Sequence, residues 1–157
     1  MFDRVRTSAC AALSVASVAT SAVIAPAASA AATAVDYSIT ETRTADRITF
    51  RFHGGLPGSP NAGYVRSVRM DASGQPVHLD GRAFFGIQFF PAQAFETSGG
   101  YRPTRAARTA RPRLAIVQEV APTGDFEGYL SYGVGLSRHT WYRLVRGSDR
   151  IVLEFGR

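Results

Sequence analysis

The chain has 157 residues, 45% of them hydrophobic, a formal charge of +6 and a single cysteine, Cys10. That length fits one domain with a core of its own, and one cysteine near the N-terminus excludes a disulfide framework and thiol chemistry for the rest of the chain. All 18 basic residues are arginine, so a phosphate loop built on Gly-Lys-Ser/Thr is excluded as well.

Residues 1–30 read as a signal peptide. Arg4 and Arg6 form a positive start, Ala9 to Ile24 is apolar and small, and Ala28-Ser29-Ala30 fits the cleavage rule. The apolar run is short and alanine-rich for a membrane anchor, so export after cleavage at Ala30 is expected, with no transmembrane segment afterwards. The remainder carries 16 Arg against 11 Asp and Glu, a net of +5. An exported cationic chain meets anionic wall polymers and lipid head groups first. Residues 31–36 read as a flexible leader.

From Tyr37 the period is two. Tyr37, Ile39 and Glu41 alternate with Ser38, Thr40 and Thr42. A turn is expected at Thr44-Ala45-Asp46, followed by Ile48, Phe50 and Phe52 on one face of a second strand. Gly54 to Gly63 is a loop. Alternation resumes from Tyr64 to Met70, and Asp71 to Pro76 is a turn. Ala83 to Phe90 is nearly continuous apolar sequence, which fits a strand covered on both faces or one with an exposed aromatic side. Residues 93–113 hold Arg102, Arg105, Arg108, Arg111 and Arg113 among glycines and prolines. They read as a long, mobile, basic loop with room for a helical turn at Thr104–Thr109.

Leu114 to Val120 is the next strand. Gly124 to Gly128 reads as a turn in which two glycines bracket Asp125 and Glu127. Then Leu130, Tyr132, Val134 and Leu136 share one face, with Tyr129, Ser131, Gly133 and Gly135 on the other. Glycines on one face of a strand imply a bulge, or another backbone or ligand lying close. Thr140 to Arg146 and Arg150 to Phe155 are the last strands, joined by Gly147-Ser148-Asp149. About eight short strands without an amphipathic helix imply an all-β, single-domain sandwich of antiparallel strands with little helix.

Several segments resemble the AMIN-like domain family of small secreted or lipoprotein domains from actinobacteria. They are Asp46 to Phe52, Pro57 to Val65 around Gly-Tyr-Val, Gly124 to Gly128, Tyr132 to Leu136, and Arg150 to Phe155. The resemblance covers 37–157. It implies a β-sandwich like the AMIN domains that sit beside amidases and secretins and target proteins to peptidoglycan, and it carries no catalytic residues. The chain departs from the family pattern in its closing strand, where Ser148-Asp149 rather than a proline precedes Arg150, and Glu154-Phe155 replaces a Val-Asp-Val type ending. No amidase or secretin domain is read beside it, so the domain itself is expected to carry the binding.

The residues offer little for catalysis. His53, His78 and His139 lack the spacing of metal ligands, so no metal and no cofactor are expected. Asp125 and Glu127 fit turn capping or arginine pairing better than acid–base work. Ser131 lacks the glycine that a nucleophile elbow needs two residues before it. The expectation is a secreted, wall-associated, non-enzymatic domain that binds peptidoglycan or another anionic wall polymer, with an envelope protein as a second partner class and no nucleic acid. Arg105, Arg108 and Arg111 would attract the ligand, and Tyr129 or Trp141 would form a sugar platform. The alternative is a small-molecule or lipid carrier with Phe84, Phe85, Phe89 and Phe90 lining a cavity.

Overall fold

The computed structural model describes residues 31–157. The segment read as a signal peptide lies outside the described residues. In chain order the strands are β1 (Ala32–Glu41), β2 (Ala45–His53), β3 (Asn61–Val65), β4 (Val68–Arg69), β5 (Pro76–Val77), β6 (Ala83–Phe89), β7 (Ala92–Gln93), β8 (Phe95–Glu96), β9 (Arg102–Pro103), β10 (Val117–Phe126), β11 (Tyr129–Leu136), β12 (Tyr142–Arg146) and β13 (Arg150–Gly156). The helical content among the described residues is one 3-10 turn at Arg105–Ala107.

The fold is all-β, as the alternation implies. A five-stranded sheet in the order β12-β13-β2-β1-β7 lies against a four-stranded sheet in the order β10-β11-β6-β3. Neighbours are antiparallel except β1 and β7. Apolar residues two apart on β2, β6, β11 and β13 point into one core that contains Phe50, Phe85, Phe89, Leu130, Tyr132 and Phe155. The rings interlock across the two sheets: Phe50 lies 5.0 Å from Phe89 and 4.9 Å from Tyr132, and Phe85 lies 5.1 Å from Phe155. Offset and edge-on pairs at this spacing add to simple burial.

Phe85 and Phe89 therefore fill the core rather than line a carrier cavity. Phe84 packs on the opposite face of β6 with Val68, Leu79 and Ala121. Phe90 is exposed and stacks on Tyr129 at 4.5 Å.

Four local expectations are corrected. The leader is not flexible from Ala32 onward, because residues 32–36 are the first half of β1. Ala32 and Ala34 are buried there, and alanines this small leave no visible periodicity. Asp46 is not a turn residue but lies in β2, fully buried, and its Oδ2 accepts the Ile116 and Val117 amides at 2.7 and 3.0 Å. That capture delays the next strand to Val117 instead of Leu114. The turn read at Gly124–Gly128 shrinks to Glu127-Gly128, whose φ values of 51° and 80° both lie in the left-handed region of a two-residue hairpin loop.

The fourth correction concerns the basic loop. Residues 93–113 are tied down along the open side between β1 and β10. The buried Tyr132 hydroxyl donates to the Ala106 carbonyl at 3.0 Å. The Tyr37 hydroxyl donates to Arg108 O at 2.6 Å, and burial pushes its pKa up to about 12. The Thr104 hydroxyl donates to Ala34 O at 2.6 Å, Asp125 Oδ2 accepts the Ala94 amide at 2.9 Å, and Ala110 bridges Val120. Burial raises the Asp125 pKa, and the Ala94 amide partly offsets the shift.

Tyr132→Phe tests this anchoring. It leaves the Ala106 carbonyl buried and unpaired, a loss of about 1–2 kcal/mol. The expected drop in Tm is roughly 3–8 °C, with faster hydrogen exchange at the Ala110 amide. Unchanged exchange there would mean that the segment is held elsewhere.

Candidate functional site

The register of the four-stranded sheet sets out its outer face in rows. Phe126 stands opposite Tyr129, and beside them lies Phe90. The next row is Gly124, Ser131, Gln88 and Asn61. The third is Ala121, Gly133, Gly86 and Gly63, and the fourth is Glu119, Gly135, Phe84 and Val65. Three glycines abreast lower the floor of the sheet. Part of that floor is covered: Val68 sits where a Cβ on Gly133 would be, and the Asp80 carbonyl does the same over Gly135. The expectation of a backbone close to this face is met by that approach.

The uncovered part is a groove of about 350 Å³ lined by Asn61, Gly63, Val65, Arg69, Gly86, Gln88 and Ser131, among others. Nothing lies within 4 Å of a Cβ built on Gly63, and only Val65 Cγ1, at 3.7 Å, approaches one built on Gly86. Gln88 donates to the Ser131 hydroxyl at 3.1 Å, which fixes the amide over the floor. The aromatic row lies one row beyond Gln88 and Ser131 along the sheet, with Phe90 48%, Tyr129 43% and Phe126 67% exposed. Polar amides on a glycine floor beside stacked, exposed rings suit a ring-shaped polar ligand with an apolar face, as sugars have.

A second concavity of about 450 Å³ lies on the outer face of the five-stranded sheet, among Thr40, Arg47, Thr49, Arg143, Val145, Arg150, Val152 and Glu154. Its arginines are already engaged. Glu154 is buried between Arg47, at 2.6 Å, and Arg143, and Arg150 pairs with Asp149 at 2.8 Å. Hydrogen bonds from Arg143, and then the charges of Arg47 and Arg143, hold the Glu154 carboxyl below its ordinary pKa. An anionic ligand would have to displace a carboxylate that is better placed.

The five residues singled out from sequence do not converge. Arg105 and Arg108 are exposed along the β1–β10 side, and Arg111 is neutralised by Glu119 at 2.9 Å. Tyr129 belongs to the aromatic row beside the groove. Trp141 lies at the other end of the sandwich, with the pyrrole edge of its indole against Gly156. Asn61, Gly63, Gly86 and Gln88 were missed as site residues, since only the pairing of distant strands brings them together; Phe90, read as a cavity wall, stacks instead on Tyr129 at the surface. Among the described residues no three His, Cys, Asp or Glu side chains are grouped to hold a metal, and no helix is long and apolar enough to cross a membrane.

Glu154→Gln measures how much of the arginine face is held by that carboxylate. A carboxylate with a lowered folded-state pKa contributes stability above its unfolded value of 4.5, lost as pH falls through the folded value. The variant is expected to lose ~1–2 kcal/mol at pH 7 in urea unfolding. The gap to the parent should narrow on acidification below the unfolded value. A gap independent of pH would refute the charge account.

A family model described as the AMIN-like domain matches residues 32–157. The match begins where β1 begins and covers both sheets. Comparison with curated proteins and with solved structures gave no match.

Proposed function

The chain belongs to the AMIN-like domain family, and from that premise we propose that it is a non-catalytic envelope domain that binds a wall glycan, peptidoglycan first, in the groove of its four-stranded sheet. AMIN-like domains are generally non-catalytic binding domains, typically extracytoplasmic, and the family suggests envelope binding. A removable signal peptide at 1–30 and a wall-associated location fit this role.

The observation that carries the reading is the Phe90–Tyr129 stack standing on the same sheet face as the Gly63–Gly86 floor, two rows away. Gln88 and Asn61 supply donors and acceptors at the right height for hydroxyl and acetamido groups. Tyr129 supplies the apolar platform, the role read for it from sequence. Arg69, whose guanidinium donates to Gly74 O at 2.8 Å, adds positive charge at the rim for the carboxylates of a wall polymer. Arg105 and Arg108 serve long-range attraction from the side, and attraction of that kind is screened within about 10 Å at moderate salt. The carrier alternative loses its main support because Phe85 and Phe89 are core residues.

Co-sedimentation of residues 31–157 with purified insoluble peptidoglycan across a salt series tests the proposal. Tyr129→Ala is expected to weaken binding by roughly 5–10-fold, the scale of one aromatic contact. Gly86→Val fills the floor without touching the core and should abolish binding while leaving Tm within a few degrees. A combined Arg105, Arg108 and Arg111 to alanine variant should retain binding at moderate salt. Binding that survives Gly86→Val and disappears in the arginine variant would overturn the groove reading.

A further inference from the structure

The two ends of the sandwich differ in chemistry. One end carries the aromatic row, with Asp125, Glu127 and Asp149 and with Arg150 paired to Asp149 and Arg146 bonded to the Pro57 and Gly58 carbonyls. The opposite end is built from the β1–β2 turn, the segment after β3, the approach to β6, the approach to β10 and the β11–β12 loop. These five turns bring Arg43, Arg66, Arg82, Arg113 and Arg138 to one rim. All five are exposed, and none makes an ion pair or side-chain hydrogen bond among the described residues. The placement follows from backbone contacts: the Arg82 amide donates to Leu136 O, the Ser137 amide to Ile116 O and the Arg157 amide to Thr44 O.

The acids near this end are mostly committed. Glu41 pairs with Arg157 at 3.4 Å, and buried Asp46 is occupied by two amides. Asp80 is the exposed carboxylate left there. The rim is therefore strongly cationic. Arg113 sits at φ 51°, in the left-handed region that glycine fills freely.

Trp141 stands on the same rim, 54% exposed. Its loop is rigid. The Tyr64 hydroxyl accepts the Thr140 amide at 2.9 Å and donates to Thr140 O at 2.8 Å, and the Tyr64 ring stacks on His139 at 4.2 Å. Arg138 and Trp141 are thus presented from a fixed platform, with little ordering left to lose on binding.

We propose that this rim docks on an anionic lipid surface, with the free arginines pairing with lipid phosphates and Trp141 seated at the headgroup level. Guanidinium matches phosphate in a forked geometry, and an indole with one apolar and one polar edge favours the bilayer interface. A plane of headgroups meets five separate turns at once. A single polymer chain needs a trough, and the troughs of this molecule lie on the sheet faces. The eight residues of β11 at about 3.3 Å each put the aromatic row roughly 25 Å from the lipid-facing rim. The groove then opens sideways to the membrane normal, with its aromatic end distal to the lipid.

Trp141 is the one tryptophan in the chain, so its emission reports on the rim directly. Residues 31–157, which hold both sheets and the whole core, would be titrated with phosphatidylcholine vesicles containing phosphatidylglycerol, with pure phosphatidylcholine vesicles and with soluble polyphosphate. The expected result is a blue shift and co-sedimentation with the anionic vesicles only. Arg82→Gln and Arg138→Gln should each weaken binding roughly 5-fold. Tyr129→Ala should leave it unchanged, which separates this surface from the glycan groove. Binding to polyphosphate without vesicle binding, equal binding to pure phosphatidylcholine, or insensitivity to both arginine variants would each overturn the proposal.

Discussion

The structure turns on a hydroxyl that has no water to bond. Tyr132 is among the largest fully buried side chains, packed against Tyr37, Phe50 and Phe89. A phenol in that position must find an acceptor inside the protein or forfeit the energy of a hydrogen bond. It finds the Ala106 carbonyl. The requirement propagates outward: Ala106 is held in the core, the 3-10 turn around it is capped by Thr104, and the Thr104 hydroxyl fixes Ala34 in β1. That buried oxygen joins the Tyr37, Thr104 and Asp125 hydrogen bonds in holding the segment from 93 to 113 against β1 and β10. Burial drives the Tyr132 pKa up as well, so the donor stays protonated.

Closing that side has a consequence for charge. A free cationic arm would have gathered its arginines around a ligand. A seated one points them along an edge, and Arg111 spends its charge on Glu119, whose other oxygen accepts the Asp80 amide at 2.8 Å. That amide belongs to the strap that lays the Asp80 carbonyl over Gly135. The same ion pair therefore steadies the cover on one part of the four-stranded sheet and leaves the groove open beside it. Buried hydrogen bonds decide where the basic segment lies, and ion pairs tune the result.

The strands were legible because a sandwich buries every second residue. Ile48-Phe50-Phe52, Leu130-Tyr132-Val134-Leu136 and Ile151-Leu153-Phe155 state their faces in the local sequence. What escaped has specific causes. Ala32 and Ala34 are too small to show a period. Asp46 is charged and reads as surface until its two amide donors, seventy residues away, are known. The groove is invisible because Gly63, Gly86 and Gly133 become one row only through the registers β3–β6 and β6–β11. Gly133 and Gly135 did signal a close approach, but the strand alone does not say whether backbone or ligand makes it. Tyr129 was readable as an exposed ring, whereas its partner Phe90 looked like the end of a core strand.

A two-layer sandwich offers few ways to build a deep pocket, since the space between its sheets is filled by interlocking rings. Function must then be placed on faces, edges and ends. Here each has a distinct composition. The five-stranded face pairs Arg47, Arg143 and Arg150 with Glu154 and Asp149, the four-stranded face lowers its floor with glycine, and the unpaired arginines gather at the end opposite the Phe90–Tyr129 stack. Had the arginines surrounded the aromatic row, one anionic ligand would satisfy both. Their separation along the strand axis means that no single small ligand can, and a molecule with two unlike ends is suited to standing between two unlike layers.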